Sequence, residues 1–329
     1  MPALARGALY GLAIGDALGM PTESLSREEI RARWGDGVTG FEAAPSDHPI
    51  AARMPAGSVT DDTEQAVVLA RLLVERQGTL DPRDLADALI RWERDMAGRG
   101  SASLLGPSTK AALAAIGAGT PPEQAGAAGA TNGAAMRIAP VGIAVPPADL
   151  PTLVDQVVMA SMVTHNTGIA LAGAAAVAAA VSAGISGASV TEATVLGVRA
   201  ARIAAGRGHW VAGADVAARI EWAVALVTGR PRREAGDLIY RLVGTSLATQ
   251  ESVPAAFAVL AAVPDDPWRA CLLAASLGGD CDTIAAMAGA ITGACHGVQA
   301  FPPEAIAVID AQGLDLVALA DDLYALRRS

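Results

Sequence analysis

Two short segments of this 329-residue chain combine paired aspartates with threonine after a glycine. The first is residues 57–63 (GSVTDDT), and the second is residues 278–283 (GGDCDT). Each precedes a sequence with helical character, so either segment alone fits a helix N-cap, where Thr and Asp oxygens accept free backbone N–H groups. The occurrence of two such segments in one chain favours a shared site.

The four aspartates in these segments indicate what such a site could bind. Asp61, Asp62, Asp280 and Asp282 would bring four negative charges together, and unpaired like charges at close range repel and favour protonation. Two divalent cations would balance them, whereas one would leave two negative charges uncompensated. Carboxylate and hydroxyl oxygens suit Mg²⁺, Mn²⁺ or Ca²⁺ and do not suit zinc. The sequence therefore predicts a divalent-cation site.

The elements that must position these residues are helices. Apolar residues recur with a helical period, whereas alternating strand patterns are scarce. Helices are predicted over residues 63–77, 85–94, 190–205, 214–228, 234–247, 254–262, 267–277, 283–293 and 314–327. Residues 34–59 form a long irregular segment, which is often functional in a compact domain. We predict an all-α fold, a compact orthogonal bundle with a central metal-binding cleft, in one domain over residues 1–329.

Composition excludes several classes of protein. The chain is 52% hydrophobic with only 3% aromatic residues, and its net charge of −10 argues against nucleic-acid binding and against a membrane surface. The short basic cluster of Arg230, Arg232 and Arg233 is predicted to be a loop. The uncharged residues 166–189 are predicted to form a buried central helix, although their length would also span a bilayer.

Cysteine usage and the N-terminus indicate the compartment. Cys271, Cys281 and Cys295 are an odd number without a CxxC pair, which fits a reducing environment. The apolar N-terminal stretch is interrupted by Asp16 and has no cleavage region, so it is not interpreted as a signal peptide. We therefore expect a cytoplasmic protein.

Five motifs in chain order resemble those of the ADP-ribosylglycohydrolases, which include the dinitrogenase reductase-activating glycohydrolase and the ADP-ribosyl-acceptor hydrolases. They are residues 11–23 (GLAIGDALGMPTE), 57–66 (GSVTDDTEQA), 131–142 (TNGAAMRIAPVG), 164–165 (TH) and 278–297 (GGDCDTIAAMAGAITGACHG). The resemblance covers nearly the whole chain. It implies a helical bundle with a binuclear Mg²⁺ site in a cleft, with Mn²⁺ as a possible substitute.

The resemblance also implies residue roles. The metal ligands would be Thr60, Asp61, Asp62, Asp280, Asp282 and Thr283; the catalytic residues Glu23 and Asp282; and the substrate-binding residues Asn132, Gly133 and His165. His165 is equally consistent with an ordinary buried polar residue. Asp16 is predicted to hold backbone near the site, and Gly11, Gly15 and Gly19 to permit close helix packing.

The mechanism implied is hydrolysis of an ADP-ribosyl glycosidic bond on a protein or small compound. Metal would hold the ribose hydroxyls and a water, and a carboxylate would assist as acid or base. Two alternatives are a hydrolase of a small nucleoside or ribosyl metabolite and a non-enzymatic, crystallin-like or ligand-binding member of the family.

One segment departs from the family pattern. Some family members that act on ADP-ribosylated arginine carry an aspartate in a D-x-G stretch, and Leu104 stands at the comparable position here. This departure weakens the case for an arginine-linked substrate.

Overall fold

Helices form the regular secondary structure of the computed structural model, which describes residues 2–98 and 105–327. In these ranges the α-helices α1–α18 follow in chain order: Pro2–Gly19, Arg27–Trp34, Asp61–Glu75, Pro82–Gly98, Pro107–Gly117, Pro122–Ala125, Gly133–Arg137, Ala139–Ala144, Leu150–Ser161, Gly168–Ile185, Val190–Ala204, Val216–Val227, Arg232–Leu238, Thr249–Ala262, Pro267–Ala275, Cys281–His296, Pro303–Asp310 and Leu316–Leu326. Single turns of 3₁₀-helix occupy Met20–Thr22 and Val298–Ala300, and a π-helical turn occupies Ile239–Val243. The described residues contain no strand beyond two isolated bridges, so the all-α prediction is confirmed.

Helices α1 and α16 pack antiparallel with their backbones in contact. A Cβ at Gly15 would lie within 3.0 Å of the Ala285 carbonyl, and one at Gly11 would meet the Gly289 carbonyl in the same way. Gly19 faces Asp282 under the same constraint. The predicted close packing by these glycines is confirmed, and it brings the end of α1 against the start of α16.

Helix α10 lies in the interior. It is long and apolar enough to cross a membrane by length and composition, but 89% of its residues are buried inside the protein. It packs against α8, α9, α11 and α16 through a surface made mostly of alanine. Small side chains permit this close packing of several neighbours, so the predicted buried central helix is confirmed.

Helix α14 begins earlier than the sequence indicates. The predicted start at Pro254 is wrong, because the helix begins at Thr249 and Pro254 lies inside it. Proline lacks the N–H that would bond the carbonyl four residues back, which is that of Gln250. Arg219 Nε donates to this carbonyl at 3.0 Å instead. The additional turn carries Ser252.

Two further predictions differ in detail. The helix predicted over 234–247 ends in the π-helical turn at Val243, because Gly244 takes a φ of +88° that terminates it. Arg232 and Arg233 were predicted to lie in a loop, but they form the first turn of α13, where Glu234 also favours the positive helix end. Residues 35–60 contain no helix or strand, which confirms the irregular segment predicted over 34–59 except at Trp34, the last residue of α2.

Candidate active site

The two aspartate segments converge on one pocket. Asp61 and Asp62 lie in the first turn of α3, and Asp280 and Asp282 lie at the start of α16. All four are at least 93% buried, since the most accessible of them is 7% exposed. The pocket has a volume of about 380 Å³ with its open side included, and its lining includes these aspartates together with Glu23 and Thr283.

Glu23 completes this cluster. Its carboxylate and those of Asp280 and Asp282 offer oxygens that lie within 4.8 Å of one another. These three carboxyl groups are therefore close enough to hold one cation together. Glu23 therefore lies where the sequence predicts it, among the aspartates.

Backbone hydrogen bonds tie the pocket segments to one another. Ser24 N donates to Gly279 O at 2.7 Å, and Gly279 N donates to Leu25 O at 2.9 Å. Asp280 N then donates to Thr245 O at 2.7 Å. Gly278 and Gly279 have φ values of +92° and +75°, a conformation that glycine adopts without strain. The glycine pair thus lets one turn contact both neighbouring segments.

Asp16 of α1 fixes the position of the first turn of α3 through hydrogen bonds. Its fully buried carboxylate accepts hydrogen bonds from the backbone N–H and the hydroxyl of both Thr60 and Thr63, at distances of 2.5–3.1 Å. Burial raises the pKa of Asp16 to about 6, whereas the hydrogen bonds from Thr63 and Thr60 lower it. The predicted structural role of Asp16 is confirmed, and Thr63 joins it as a residue that the sequence analysis missed.

The N-cap interpretation holds for one segment and fails for the other. Thr60 caps α3, because its hydroxyl accepts from Asp62 N at 3.3 Å while donating to Asp16. Thr60 does not line the pocket. Asp280 occupies the N-cap position of α16, yet its side chain accepts no capping hydrogen bond. Its carboxylate instead accepts from Asn132 Nδ2 within the pocket.

The electrostatics of the metal-free pocket disfavour ionised carboxylates. Burial, followed by the charges of Asp16 and Asp280, raises the pKa of Asp61 to about 8. Burial raises the pKa of Asp280 to about 6. Burial and the charges of neighbouring aspartates hold the pKa values of Asp62, Asp282 and Glu23 well above their usual range. A bound cation would remove this penalty.

Two pocket oxygens are available to a cation. Asp62 Oδ2 and Asp282 Oδ1 are buried and accept no hydrogen bond from any described residue. Buried polar atoms are nearly always hydrogen-bonded, so orphaned carboxylate oxygens that face like charges fit a metal ion. Thr283 Oγ1, 3.4 Å from Asp62 Oδ1, adds a hard oxygen at the same place. The donor set therefore fits Mg²⁺ or Mn²⁺.

Asn132 and Gly133 lie on the wall of the pocket, as predicted. Asn132 Nδ2 also donates to Ser252 Oγ at 3.0 Å, so the additional turn of α14 orients the amide that binds Asp280. A Cβ at Gly133 would lie 2.8 Å from His165 Cε1, and only glycine fits there without displacing the imidazole.

His165 lies behind this wall and does not line the pocket. Its ring is fully buried beneath Gly133, so direct substrate contact, as predicted, does not match its position. Nε2 is 2.9 Å from Thr131 Oγ1, and Nδ1 is 2.7 Å from Thr164 Oγ1. Because the Thr131 hydroxyl donates to Ser108, it accepts from His165, which places the imidazole proton on Nε2. His165 therefore supports the pocket wall at Thr131 and Gly133 from the interior of the protein.

Arg137 extends this network toward the carboxylates. Its fully buried guanidinium donates to Thr164 Oγ1 at 2.6 Å and to Gln65 Oε1 at 2.9 Å. Gln65 Nε2 in turn donates to Asp61 Oδ2 at 2.9 Å. Burial lowers the pKa of Arg137 to about 10, so its guanidinium stays positively charged at neutral pH. This positive charge favours the ionised form of Asp61.

The sequence analysis missed Gln65 and Arg137, although both carry a signal. Gln65 follows Asp61 by four residues and so shares its helix face. Arg137 is a single charge in the otherwise apolar residues 133–145. Leu104, the departure from the family pattern, lies outside the described residues, while Gly106, Pro107 and Thr109 line the pocket mouth.

The protein has an all-helical fold around a pocket of buried carboxyl groups, and these two features define its structural class. Known proteins belong to the same class. The sequence model of the ADP-ribosylglycohydrolase family matches residues 3–329. ADP-ribosylarginine hydrolase Tri1 of Pseudomonas putida (strain GB-1) is 32% identical, covering 91% of this chain and 72% of its own. ADP-ribosyl-[dinitrogen reductase] glycohydrolase of Rhodospirillum rubrum is 29% identical, covering 93% and 90%.

A solved structure described as an ADP-ribosylglycohydrolase-related protein complex superimposes with a TM-score of 0.73 at 28% identity, covering 99% of this chain and 98% of the other. The chain belongs to the ADP-ribosylglycohydrolase family, and it is an enzyme of the glycosidase class. The resemblance stated from the five motifs is thereby confirmed.

Proposed function

We propose that the chain hydrolyses the bond between an ADP-ribosyl group and its acceptor, with divalent cations bound among the pocket carboxylates. The observation that carries the proposal is the convergence of five carboxyl groups on one buried pocket: Glu23, Asp61, Asp62, Asp280 and Asp282. Family membership supports hydrolysis of ADP-ribosyl linkages. It also favours catalysis over the non-enzymatic alternative.

The proposed ligands are the four aspartates with the Thr283 hydroxyl. The Thr60 hydroxyl is bound to Asp16 outside the pocket, so Thr60 is proposed to contribute by positioning the two aspartates of α3. When bound, Mg²⁺ or Mn²⁺ supplies positive charge that offsets the carboxylates and a template for the ribose hydroxyls and the attacking water. Two ions are proposed, because they balance the aspartates. The structure adds the Glu23 carboxyl group to the same cluster, so five carboxyl groups are available to the ions.

The proton transfer is assigned to Glu23. Its carboxyl group lies among the pocket carboxylates, where it can give a proton to the leaving group or accept one from water. Asp282, whose carboxylate offers an oxygen within 4.8 Å of one from Glu23, is the proposed catalytic partner. Bond cleavage passes through an oxocarbenium-like state, which the nearby negative charge stabilises.

The substrate is proposed to enter along the wall formed by Asn132 and Gly133. Leu247 lines the same pocket and is 41% exposed, so it offers an apolar contact at the mouth. The names of two relatives support an acceptor on a protein, an arginine in one and dinitrogen reductase in the other. A cytoplasmic location is also proposed, supported by three free cysteines.

The proposal is tested by measuring ADP-ribose release from arginine-linked, serine-linked and O-acetyl-linked substrates, with a nucleoside panel alongside. We expect release in Mg²⁺ from at least one ADP-ribosyl substrate, none after chelation, and none from Asp282→Asn. The exposed cap variant Asp149→Asn is the matched control and should keep full activity. Folded, Mg²⁺-loaded protein that turns over no ADP-ribosyl substrate would contradict the proposal. Free base released from a nucleoside alone would favour the small-ribosyl alternative.

A further inference from the structure

A second polar cavity lies apart from the carboxylate pocket. It is lined by Arg27 and Arg31 of α2 and by Arg232 and Arg233 of α13, and we call it the arginine cavity. Its volume, open side included, is about 800 Å³. It shares no lining residue with the carboxylate pocket, so any ligand would bind there independently.

The arginine cavity has excess positive charge in a protein of net charge −10. Asp237 pairs with two of its arginines, at 3.0 Å from Arg27 and 2.8 Å from Arg31. Asp36 lies 3.7 Å from Arg233, and Arg232 forms no ion pair with any residue of the described ranges. Four guanidinium groups therefore face two carboxylates, which leaves about two positive charges for a ligand.

Arg27 gives the cavity a fixed donor. Its side chain is only 10% exposed, and the ion pair with Asp237 and a 3.4 Å hydrogen bond to Ser276 O hold its terminal nitrogens. Its buried Nε has no hydrogen-bond partner in the described part of the chain. A Cβ at Gly236 would lie 2.9 Å from Arg27 NH2, so α13 packs directly on the guanidinium. Arg27 is thereby a fixed positive charge in the cavity wall, and a fixed guanidinium is suited to an anion.

The cavity also has an apolar part. Val38, Leu272 and Leu273 also line the cavity. A ligand that fits both the arginines and these apolar side chains carries a doubly negative group next to an uncharged organic portion.

We propose that the arginine cavity binds the phosphate group of a small phosphorylated compound, at a site separate from the carboxylate pocket. Arginine suits phosphate because its planar donors match two phosphate oxygens at once. Two negative charges on the phosphate match the excess charge of the cavity. The apolar lining holds the organic portion.

The test is a calorimetric titration of metal-stripped protein with inorganic phosphate and with phenyl phosphate. Without divalent cations the carboxylate pocket has no positively charged residue in its described lining to bind either probe, so binding reports on the arginine cavity. We expect one saturable site per chain, with phenyl phosphate binding more tightly than phosphate. Absence of saturable binding by either probe overturns the proposal.

Variants locate the binding. Arg232→Ser with Arg233→Ser should weaken phenyl phosphate binding about tenfold or more, since each charge-assisted contact contributes a comparable factor. Arg232→Lys with Arg233→Lys should recover part of the loss. Arg230→Ser is the matched control, because Arg230 lies in the same segment, pairs with Glu234 and does not line the cavity. Equal binding by the double serine variant and the Arg230 control would overturn the proposal.

Discussion

The carboxyl group of Asp16 does not line the pocket, yet it determines where two of the proposed metal ligands lie. It binds Thr60 and Thr63, which flank Asp61 and Asp62 in the sequence. A carboxylate presents acceptors on both oxygens, whereas an amide presents one acceptor and one donor. The geometry of the first turn of α3 therefore depends on a charged residue from α1.

At this scale we predict that Asp16→Asn weakens Mg²⁺ binding by about tenfold or more, because residues that orient metal ligands contribute on that order. The amide would turn a donor toward the Thr60 and Thr63 N–H groups and shift the ligands. Calorimetric titration with Mg²⁺ measures the change. Asp149→Asn, which also alters an aspartate bound to a threonine N–H and hydroxyl, should bind as the unmodified chain does. Unchanged affinity in Asp16→Asn would contradict this role.

At the scale of elements, the contact between α1 and α16 joins the two halves of the site. Glycine at Gly11, Gly15 and Gly19 brings α1 into backbone contact with α16. Glu23 follows the end of α1 after one 3₁₀ turn, and Asp282 lies at the start of α16. Protein interiors are close-packed and relax only in part around an added atom. Helix spacing here therefore sets the separation of the carboxyl groups.

We predict that Gly15→Ala lowers the free energy of unfolding by about 3 kcal/mol or more, at the upper end of overpacking effects, because the new Cβ would meet a backbone carbonyl. Gly117→Ala is the matched control. Gly117 ends α5, and a Cβ added there would have no atom within 4 Å, so alanine should leave stability unchanged or slightly raised. Chemical denaturation measures both variants. Equal stability of the two would show that the helices can separate without cost.

The sequence predicts those parts of the site that are local. Paired aspartates at helix starts, the glycine spacing on α1 and the periodic helices all depend on neighbours within a few residues. The contacts that the sequence analysis missed join distant segments: Arg137 reaches Gln65 across 72 positions, and Asn132 reaches Ser252 across 120. The start of α14 was missed because Arg219 compensates for Pro254, a contact that no local pattern contains.

At the scale of the whole molecule, the pocket needs most of the chain. Its lining extends from Glu23 to Thr283, and α18 packs back on α1, where Arg6 Nε donates to Asp321 at 2.8 Å. The buried side chains form one continuous cluster, which favours the single domain proposed for residues 1–329. The buried carboxyl groups are thus held together by elements from the whole length of the chain.

We predict that the metal-free protein becomes less stable as pH rises. The pKa of Asp61 is raised from 3.8 to about 8, so between these values the folded state binds more protons than the unfolded state and stability falls with pH. The pKa of Asp280 is raised to about 6, so this residue adds to the decline in stability in the lower part of the pH range. Thermal unfolding from pH 5 to pH 8 measures the trend, and saturating Mg²⁺ should flatten it. A Tm of metal-free protein that rises over this range would contradict the prediction.

The most direct test of the central claim is a calorimetric titration of metal-stripped protein with Mg²⁺. The carboxylate pocket predicts saturable binding of two ions per chain, lost or reduced at least tenfold in Asp62→Asn and Asp282→Asn, whose orphaned oxygens face the pocket. Asp149→Asn should bind as the unmodified chain does. Absence of saturable Mg²⁺ binding, or binding that both pocket variants retain in full, would contradict the claim that these carboxylates form the metal centre.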